Sequence, residues 1–197
     1  MLVSVNVALP SPLVTGKGEV LSGIRKLPVM GRVRVGALGL DGDAQADLKV
    51  HGGPDQAVYA YSRDHYARWA GELARDDLAP GSFGENLTVE GMLETDVRIG
   101  DVYQVGSARL QVTKPRSPCF KLAAWTGLPT FPKLFLASGR TGFYLRVLEE
   151  GEVGAGDAIA LVRREPDART VLEDARRRWG TRTDTEEGSE PRASRGS

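Results

Sequence analysis

The stretch IGDVYQVGSARLQVTKPRSPCFKL, Ile99 to Leu122, decides how this chain is read. DVYQV (101–105) and ARLQVT (108–113) are short β-branched runs separated by a glycine-bearing turn, the pattern of two strands. The second half then changes character. Pro115 and Pro118 restrict the backbone on both sides of Cys119. Cys119 is therefore placed on a stiff loop between a strand ending near Thr113 and a short helix. Lys114, Arg116 and Lys121 surround it with positive charge.

Working outward, the strand pattern repeats. Val3, Val5 and Val7 alternate with other residues at the start, and GRVRVGAL from Gly31 does the same. Further strands are predicted at AVYAY (57–61), NLTVE (86–90), GFYLRVL (142–148) and DAIALVR (157–163). With 24 glycines and 11 prolines between such runs, the fold class is mainly β, a barrel or sandwich with a few short helices. Helices are predicted at SRDHYARWAGEL (62–73), where Ser62 caps and Tyr66, Trp69 and Leu73 share a face. CFKLAAW and LPTFPKLFLASG are shorter, the second interrupted by Pro132. Asp167 to Gly180 reads as a helix with Val171, Leu172 and Ala175 on one side. The expected organisation is a β domain over 1–164, a short helical extension over 165–180 and a disordered polar tail over 181–197. IGDVYQVGSA and GAGDAIALV each place Gly-Asp before a strand, as a tight turn does.

Composition narrows the function classes. The 197 residues are 41% hydrophobic, enough for one domain with a real core. Lys plus Arg and Asp plus Glu both total 26, so nothing global favours nucleic acid or an anionic membrane, and an anion site must be local. One cysteine excludes an internal disulfide, and two histidines beside it make a structural zinc site a poor fit. A lone thiol suits a reducing compartment. MLVSVNVALPSPLV has neither the basic leader of a secretory signal nor the length of a transmembrane span, so a cytoplasmic location is expected.

Four stretches carry candidate chemistry. Cys119, at a helix start among cations, is either a thiolate nucleophile and soft-metal ligand or a buried structural residue. In DLKVHGGPDQAVYAY (47–61), His51 is either a proton donor beside an anion-holding turn at Gly52-Gly53 or a residue that caps a strand. In PGSFGENLTVEG (80–91), Glu85 and Asn86 either orient a ligand or satisfy backbone groups. In ASGRTGFYLRVL (137–148), Arg140 is either a phosphate fork or a solvated turn residue. Lys26, in SGIRKLPVMG, adds a cation near a turn, and His65 reads as a surface residue. Asp41, Asp43 and Asp47 lack the spacing and bidentate Glu of an EF-hand loop and read as a turn. No G-x-S-x-G elbow, Walker loop or G-x-G-x-x-G is present. One thiol, one histidine, loop cations and glycine-bordered loops suit an anionic, sulfur-ligated cofactor better than a hydrolase.

The order of these motifs resembles the MOSC domain family (molybdenum cofactor sulfurase C-terminal domain), in its YiiM-like branch. K-V-H-G-G-P, G-E-N-L and P-R-x-P-C-x-K-L follow one another here, and the resemblance covers roughly residues 1 to 164. It implies a β-barrel that binds the molybdenum cofactor, with Cys119 as the molybdenum ligand or as a sulfur carrier. Lys26 and His51 would assist catalysis, and Arg116, Lys121, Glu85, Asn86, Arg140, Gly52 and Gly53 would line the cofactor pocket. It also implies an oxidoreductase that reduces N-hydroxylated small molecules, hydroxylaminopurine-type bases or amidoxime-like compounds, in a detoxifying role. The alternative is a carrier of sulfur or cofactor without turnover of its own. With one cysteine and no flavin motif, a separate electron-donating reductase is the expected partner, and no nucleic acid or membrane. Pyridoxal phosphate belongs to a sulfurase domain fused in other members, for which this chain has no room. The branch often carries three helices after the barrel, where one is expected here. Oligomeric state is left open.

Overall fold

The computed structural model describes residues 1–16, 18–46 and 52–180. His51, Asp47 and the segment 181–197, read above as a polar tail, lie outside the described residues. The first strands are β1 (Leu2–Val7), β2 (Ser11–Thr15), β3 (Gly18–Ser22), β4 (Leu27–Pro28), β5 (Arg32–Gly36) and β6 (Gly39–Leu40). Next come β7 (Val58–Ser62), helix α1 (Tyr66–Leu73), β8 (Leu87–Val89), β9 (Val102–Val105) and β10 (Ala108–Pro115). Helices α2 (Phe120–Thr126) and α3 (Phe131–Ala137) precede β11 (Phe143–Glu149), β12 (Gly151–Gly154), β13 (Ile159–Arg163) and α4 (Val171–Trp179). No helix among the described residues is long and apolar enough to cross a membrane.

The mainly β expectation holds. Eight strands form one sheet in the order β13-β9-β10-β11-β7-β8-β1-β4, antiparallel except for the β7–β8 pair. The expected barrel does not close, because among the described residues the two edge strands β4 and β13 do not pair with each other. The sheet twists as sheets of L-residues must. It curls far enough for the turn before β13 to bond β1: the Leu2 N–H donates to the Asp157 carbonyl (2.9 Å) and the Gly156 N–H to the Leu2 carbonyl (2.8 Å). A three-stranded sheet, β12-β5-β6, adds Val35 and Val153 to the core inside this curl, alongside Leu2, Val5 and Leu110.

Strand β7 separates two cores. Its residues are buried on both faces, so alternate side chains enter different interiors. Val58 and Ala60 face the aliphatic core inside the curl. Tyr59 and Tyr61 face an aromatic core under α1, α2 and α3, with Trp69, Phe83, Phe131 and Phe135. There the Trp69 and Phe135 rings stack at 5.8 Å, and the Trp69 indole N–H donates to the Tyr61 hydroxyl at 2.6 Å.

Several expectations shift in detail. Ser62 does cap, accepting from the Asp64 N–H, but a 3-10 turn over Arg63–His65 precedes the α-helix. Pro132 does not interrupt α3; it occupies the first turn, where no intrahelical N–H is required. The alternation at Val3, Val5 and Val7 breaks because the register shifts between Leu2 and Ser4. Ser4 and Asn6 are then buried too, and the Ser4 hydroxyl donates to the Asn6 side-chain oxygen at 2.8 Å. Helix α4 does not stand apart as an extension. A capping box of Thr170 and Glu173 starts it, its Val171 N–H donates to the Val97 carbonyl (2.8 Å), and Val171 and Ala175 are fully buried. Both Gly-Asp turns form, with Gly100 and Gly156 each at φ 91°.

The loop before β8 is anchored by Glu85, which is fully buried. Its carboxylate accepts from the Gly81 N–H (2.8 Å), the Phe83 N–H (3.0 Å), the Thr88 hydroxyl (2.8 Å) and the Tyr66 hydroxyl. Burial pushes this carboxyl above its ordinary range, and the donors pull it back toward the anion. Gly142, at the entry to β11, has φ 64°, and a Cβ there would lie 2.5 Å from the Ala60 carbonyl.

Two stability outcomes follow. Glu85→Gln turns one acceptor oxygen into a donor facing a backbone N–H. It is expected to cost about 2 kcal/mol, seen as a melting temperature lowered by roughly 4–8 °C. Gly142→Ala combines a left-handed backbone with a clash against β7 and is expected to cost about 3 kcal/mol or more by denaturant titration.

Candidate functional site

One cleft gathers most of the predicted residues. Its walls include Lys26, Gly52, Asn86, Arg116, Cys119 and Lys121, and it encloses about 640 Å³ of empty space including its open mouth. That falls in the range of small-molecule and cofactor sites. The segment after β3, the turn after β6, the turn into β7 with β7 itself, the residues before β8, the loop from β10 into α2 and β11 all contribute to it.

Lys26 and Asp43 form an ion pair at the cleft wall, with side-chain exposures of only 8% and 3%. Burial pulls the Lys26 ammonium below its ordinary value, against the opposing pull of Asp43. Asp43 also accepts from the Ala8 N–H (2.9 Å) and from the Asn86 amide (2.9 Å). Asn86 in turn accepts from the Tyr59 N–H at 3.1 Å. Asn86 therefore satisfies backbone, one of the two readings the sequence left open, and it also lines the cleft. Asp43 is a cleft residue that the sequence reading missed, because its turn spacing carries no sign of the buried lysine it pairs with.

Arg116 enters from the end of β10 and is buried. Its guanidinium lies 4.5 Å over the Tyr59 ring and donates to the Phe83 carbonyl. Burial opposes its charge, but Tyr59, Tyr144 and the Cys119 sulfur outweigh that and hold it more firmly protonated than usual. Burial pushes the Tyr59 and Tyr144 phenols up, so both stay neutral donors. Cys119, half-buried, precedes α2 in extended backbone (φ −119°, ψ 174°), directly after Pro118. Tyr59, Tyr144 and Gln56 also line the cleft; their aromatic or amide character gave no site signal in the sequence.

Other predicted residues fall elsewhere. Glu85 does not line the cleft; it fixes the loop whose Phe83 carbonyl holds Arg116. Gly53, at φ 82°, turns the chain into the 3-10 turn Pro54–Gln56 beside Gly52. Arg140 is neither a phosphate fork nor a solvated residue. Its guanidinium stacks 3.8 Å from the Trp69 ring centroid and pairs with Glu72 at 2.8 Å, joining α1 to the turn before β11. His65 is not a surface residue either: its ring lies 2.7 Å from Glu94 with 12% side-chain exposure. His51 lies outside the described residues, next to Gly52 of the cleft.

The donor set fits the molybdenum cofactor. A soft thiol stands at one wall, two buried cations and Lys121 can meet a phosphate, and Asn86 and Gln56 can meet a pterin edge. Among the described residues no three His, Cys, Asp or Glu side chains gather as a ligand set. A metal held at Cys119 would therefore bring most of its own ligands, as a dithiolene does.

Comparison with known proteins agrees with this geometry. The profile of the MOSC domain matches residues 47–160. The uncharacterized protein YflK of Bacillus subtilis is 42% identical over 163 residues, 83% of this chain and 73% of that protein. Protein YiiM of Escherichia coli is 41% identical over 161 residues, 80% of this chain and 71% of its own length. A protein of Gibberella moniliformis named Reductase is 39% identical over 158 residues, 79% of this chain but 28% of its own length. The crystal structure of YiiM from Geobacillus stearothermophilus superposes with a TM-score of 0.75 at 36% identity, covering 89% of this chain and 82% of that one. The chain belongs to the MOSC domain family, in its YiiM-like branch.

Proposed function

We propose that the chain binds the molybdenum cofactor in the Lys26–Arg116 cleft, with Cys119 as the metal's protein ligand, and reduces N-hydroxylated small molecules. Membership of the MOSC family gives a molybdenum-cofactor-associated function, and the fungal relative's name points to oxidoreductase chemistry in the same coarse sense. The observation that carries the finer proposal is the convergence of the chain's sole thiol and two buried cations, Lys26 and Arg116, on one cleft.

Each side chain has a definable task. Arg116, held by the Tyr59 face and the Phe83 carbonyl, presents a fixed positive charge that needs no reorganisation when an anion arrives. Lys121 at the mouth adds a second. Molybdenum held at Cys119 would supply the two-electron reduction. The overall change is R–NHOH plus two electrons and two protons to R–NH2 and water. Lys26, whose proton is loosened by burial, is placed to donate one of these protons, and Asp43 and Asn86 hold it in position. The electrons come from a separate reductase, since the only cysteine is committed to the metal.

Molybdenum analysis tests the ligand. Protein made in a host that synthesises the cofactor is expected to hold near-stoichiometric metal, and Cys119→Ser to lose at least nine-tenths of it. If both forms lack molybdenum while another molybdoenzyme in the same cells is loaded, the ligand proposal fails. Persulfide detection on Cys119 would then support the sulfur-carrier alternative.

The Lys26 role predicts a pH profile. Lysine's ordinary value of 10.5 is lowered here, so turnover is expected to fall on an alkaline limb that lies below 10.5. In Lys26→Arg the limb is expected to disappear, with kcat about a hundredfold lower. Stability has the opposite slope. The unfolded chain binds the extra proton between the lowered value and 10.5, so this group's contribution to stability rises with pH across that window.

A further inference from the structure

Cys119 does not belong to one cavity alone. It also lines a second hollow of about 650 Å³ of empty space, open mouth included. Gln56, Cys119 and Tyr144 are common to both and form the septum between them. The two hollows differ in chemistry. The first concentrates buried charge and amides: Lys26, Asp43, Asn86 and Arg116. The second is walled by flat, weakly polar surfaces, Pro115, Pro118 and the half-buried indole of Trp179, with Lys114 and Arg178 beside them. Trp179 closes α4, which a capping box starts and which packs on β10 with Val171 and Ala175 buried. Arg178 is itself held by Asp174 at 2.5 Å. The indole is therefore positioned by the fold.

We infer that this second hollow is the substrate chamber, and that Trp179 makes it selective for flat heteroaromatic N-hydroxylated compounds over small aliphatic ones. The assignment rests on the reductase proposal above. An anionic, hydrogen-bonding cofactor matches the first hollow. A neutral ring of purine size matches the second, since every such ring has a face to stack on an indole. Donors at Lys114, Arg178 and the Gln56 amide match ring nitrogens that accept hydrogen bonds. With the metal on the Cys119 sulfur, a ring stacked on Trp179 can direct its N–OH group toward the septum. Trp179 is thus a specificity-determining residue on an element that contributes nothing to the first cleft.

The test uses the full-length, molybdenum-loaded protein with reduced methyl viologen as donor. The substrates are 6-hydroxylaminopurine and N-methylhydroxylamine. The readout is the ratio of their kcat/KM values. Trp179→Ala is expected to lower this ratio about tenfold, the equivalent of about 1.4 kcal/mol for one lost stack, mainly through KM for the purine. Trp179→Phe should restore most of it. A second variant fills the chamber from the opposite wall: Ser117, exposed at the rim, changed to Trp should lower the same ratio. Equal losses on both substrates, or an unchanged ratio in both variants, would overturn the inference. Equilibrium dialysis of 6-hydroxylaminopurine against the oxidised loaded protein, without donor, separates this from the reductase proposal. If wild type turns over neither substrate, the reductase proposal falls. The chamber then stands only if the wild type binds the purine and Trp179→Ala binds it about tenfold more weakly. No binding, or equal binding, overturns it.

Discussion

The carboxylate of Glu85 and the four donors around it hold together the parts of the molecule that meet at the cleft. A buried charge of this kind is tolerated only when hydrogen bonds replace the water it lost. Here they come from α1 through Tyr66, from β8 through Thr88 and from the loop itself through Gly81 and Phe83. The Glu85 carbonyl also accepts from the Asn6 amide of β1 at 3.2 Å. The loop so fixed gives its own carbonyls outward: Phe83 to Arg116 and Ser82 to the Trp125 indole at 2.9 Å. One anion that never touches the cleft thereby sets where the cleft's most buried cation sits.

The two buried cations are stabilised in different ways, and the difference bears on function. Lys26 has a full counter-charge in Asp43 that balances its ammonium, while burial loosens its proton. Arg116 has ring faces and a carbonyl, and among the described residues no carboxylate pairs with it, so its positive charge remains for a ligand to meet. The function proposed for the cleft, binding an anion and moving a proton, uses both kinds. Arginine suits the first because it does not lose its proton, and lysine suits the second because burial shifts it readily.

The stiff loop at Cys119 completes the arrangement. Pro115 ends β10 against β11, pairing with Phe143, and Pro118 leads into α2. The sulfur is held between two hollows of unlike chemistry rather than at the floor of one. Glycine at 142 lets β11 approach β7 closely enough for Tyr144 to stand beside Tyr59, their ring centroids 5.5 Å apart. Tyr144 is part of the septum, so a backbone requirement in the sheet shapes the wall of the site.

The sequence by itself determined the mainly β class, because period-2 runs bounded by glycine and proline are local signals. It determined the stiff setting of Cys119, because prolines act on their immediate neighbours. The ordered motifs made the family legible, and with it Lys26, Gly52, Asn86, Arg116 and Lys121 as residues of one cleft. Only the tertiary structure decided the rest. Asp43 was indistinguishable from any turn aspartate until folding brought it to a lysine seventeen residues away. Arg140 between two glycines looked like an anion fork, and the Trp69 face and Glu72 claimed it for packing instead. Glu85 stood in a site motif, yet its role is to hold a loop, because burial gave its carboxylate four donors and no access to the cleft. The sheet stayed open where a barrel was expected, since closure depends on whether two distant edges meet. Trp179 carried no signal at all: an aromatic at a helix end acquires meaning only when folding brings it to the same hollow as the chain's one thiol. Local patterns fix elements and stiffness, whereas charge pairing, burial and cavity walls are made by residues far apart in the chain.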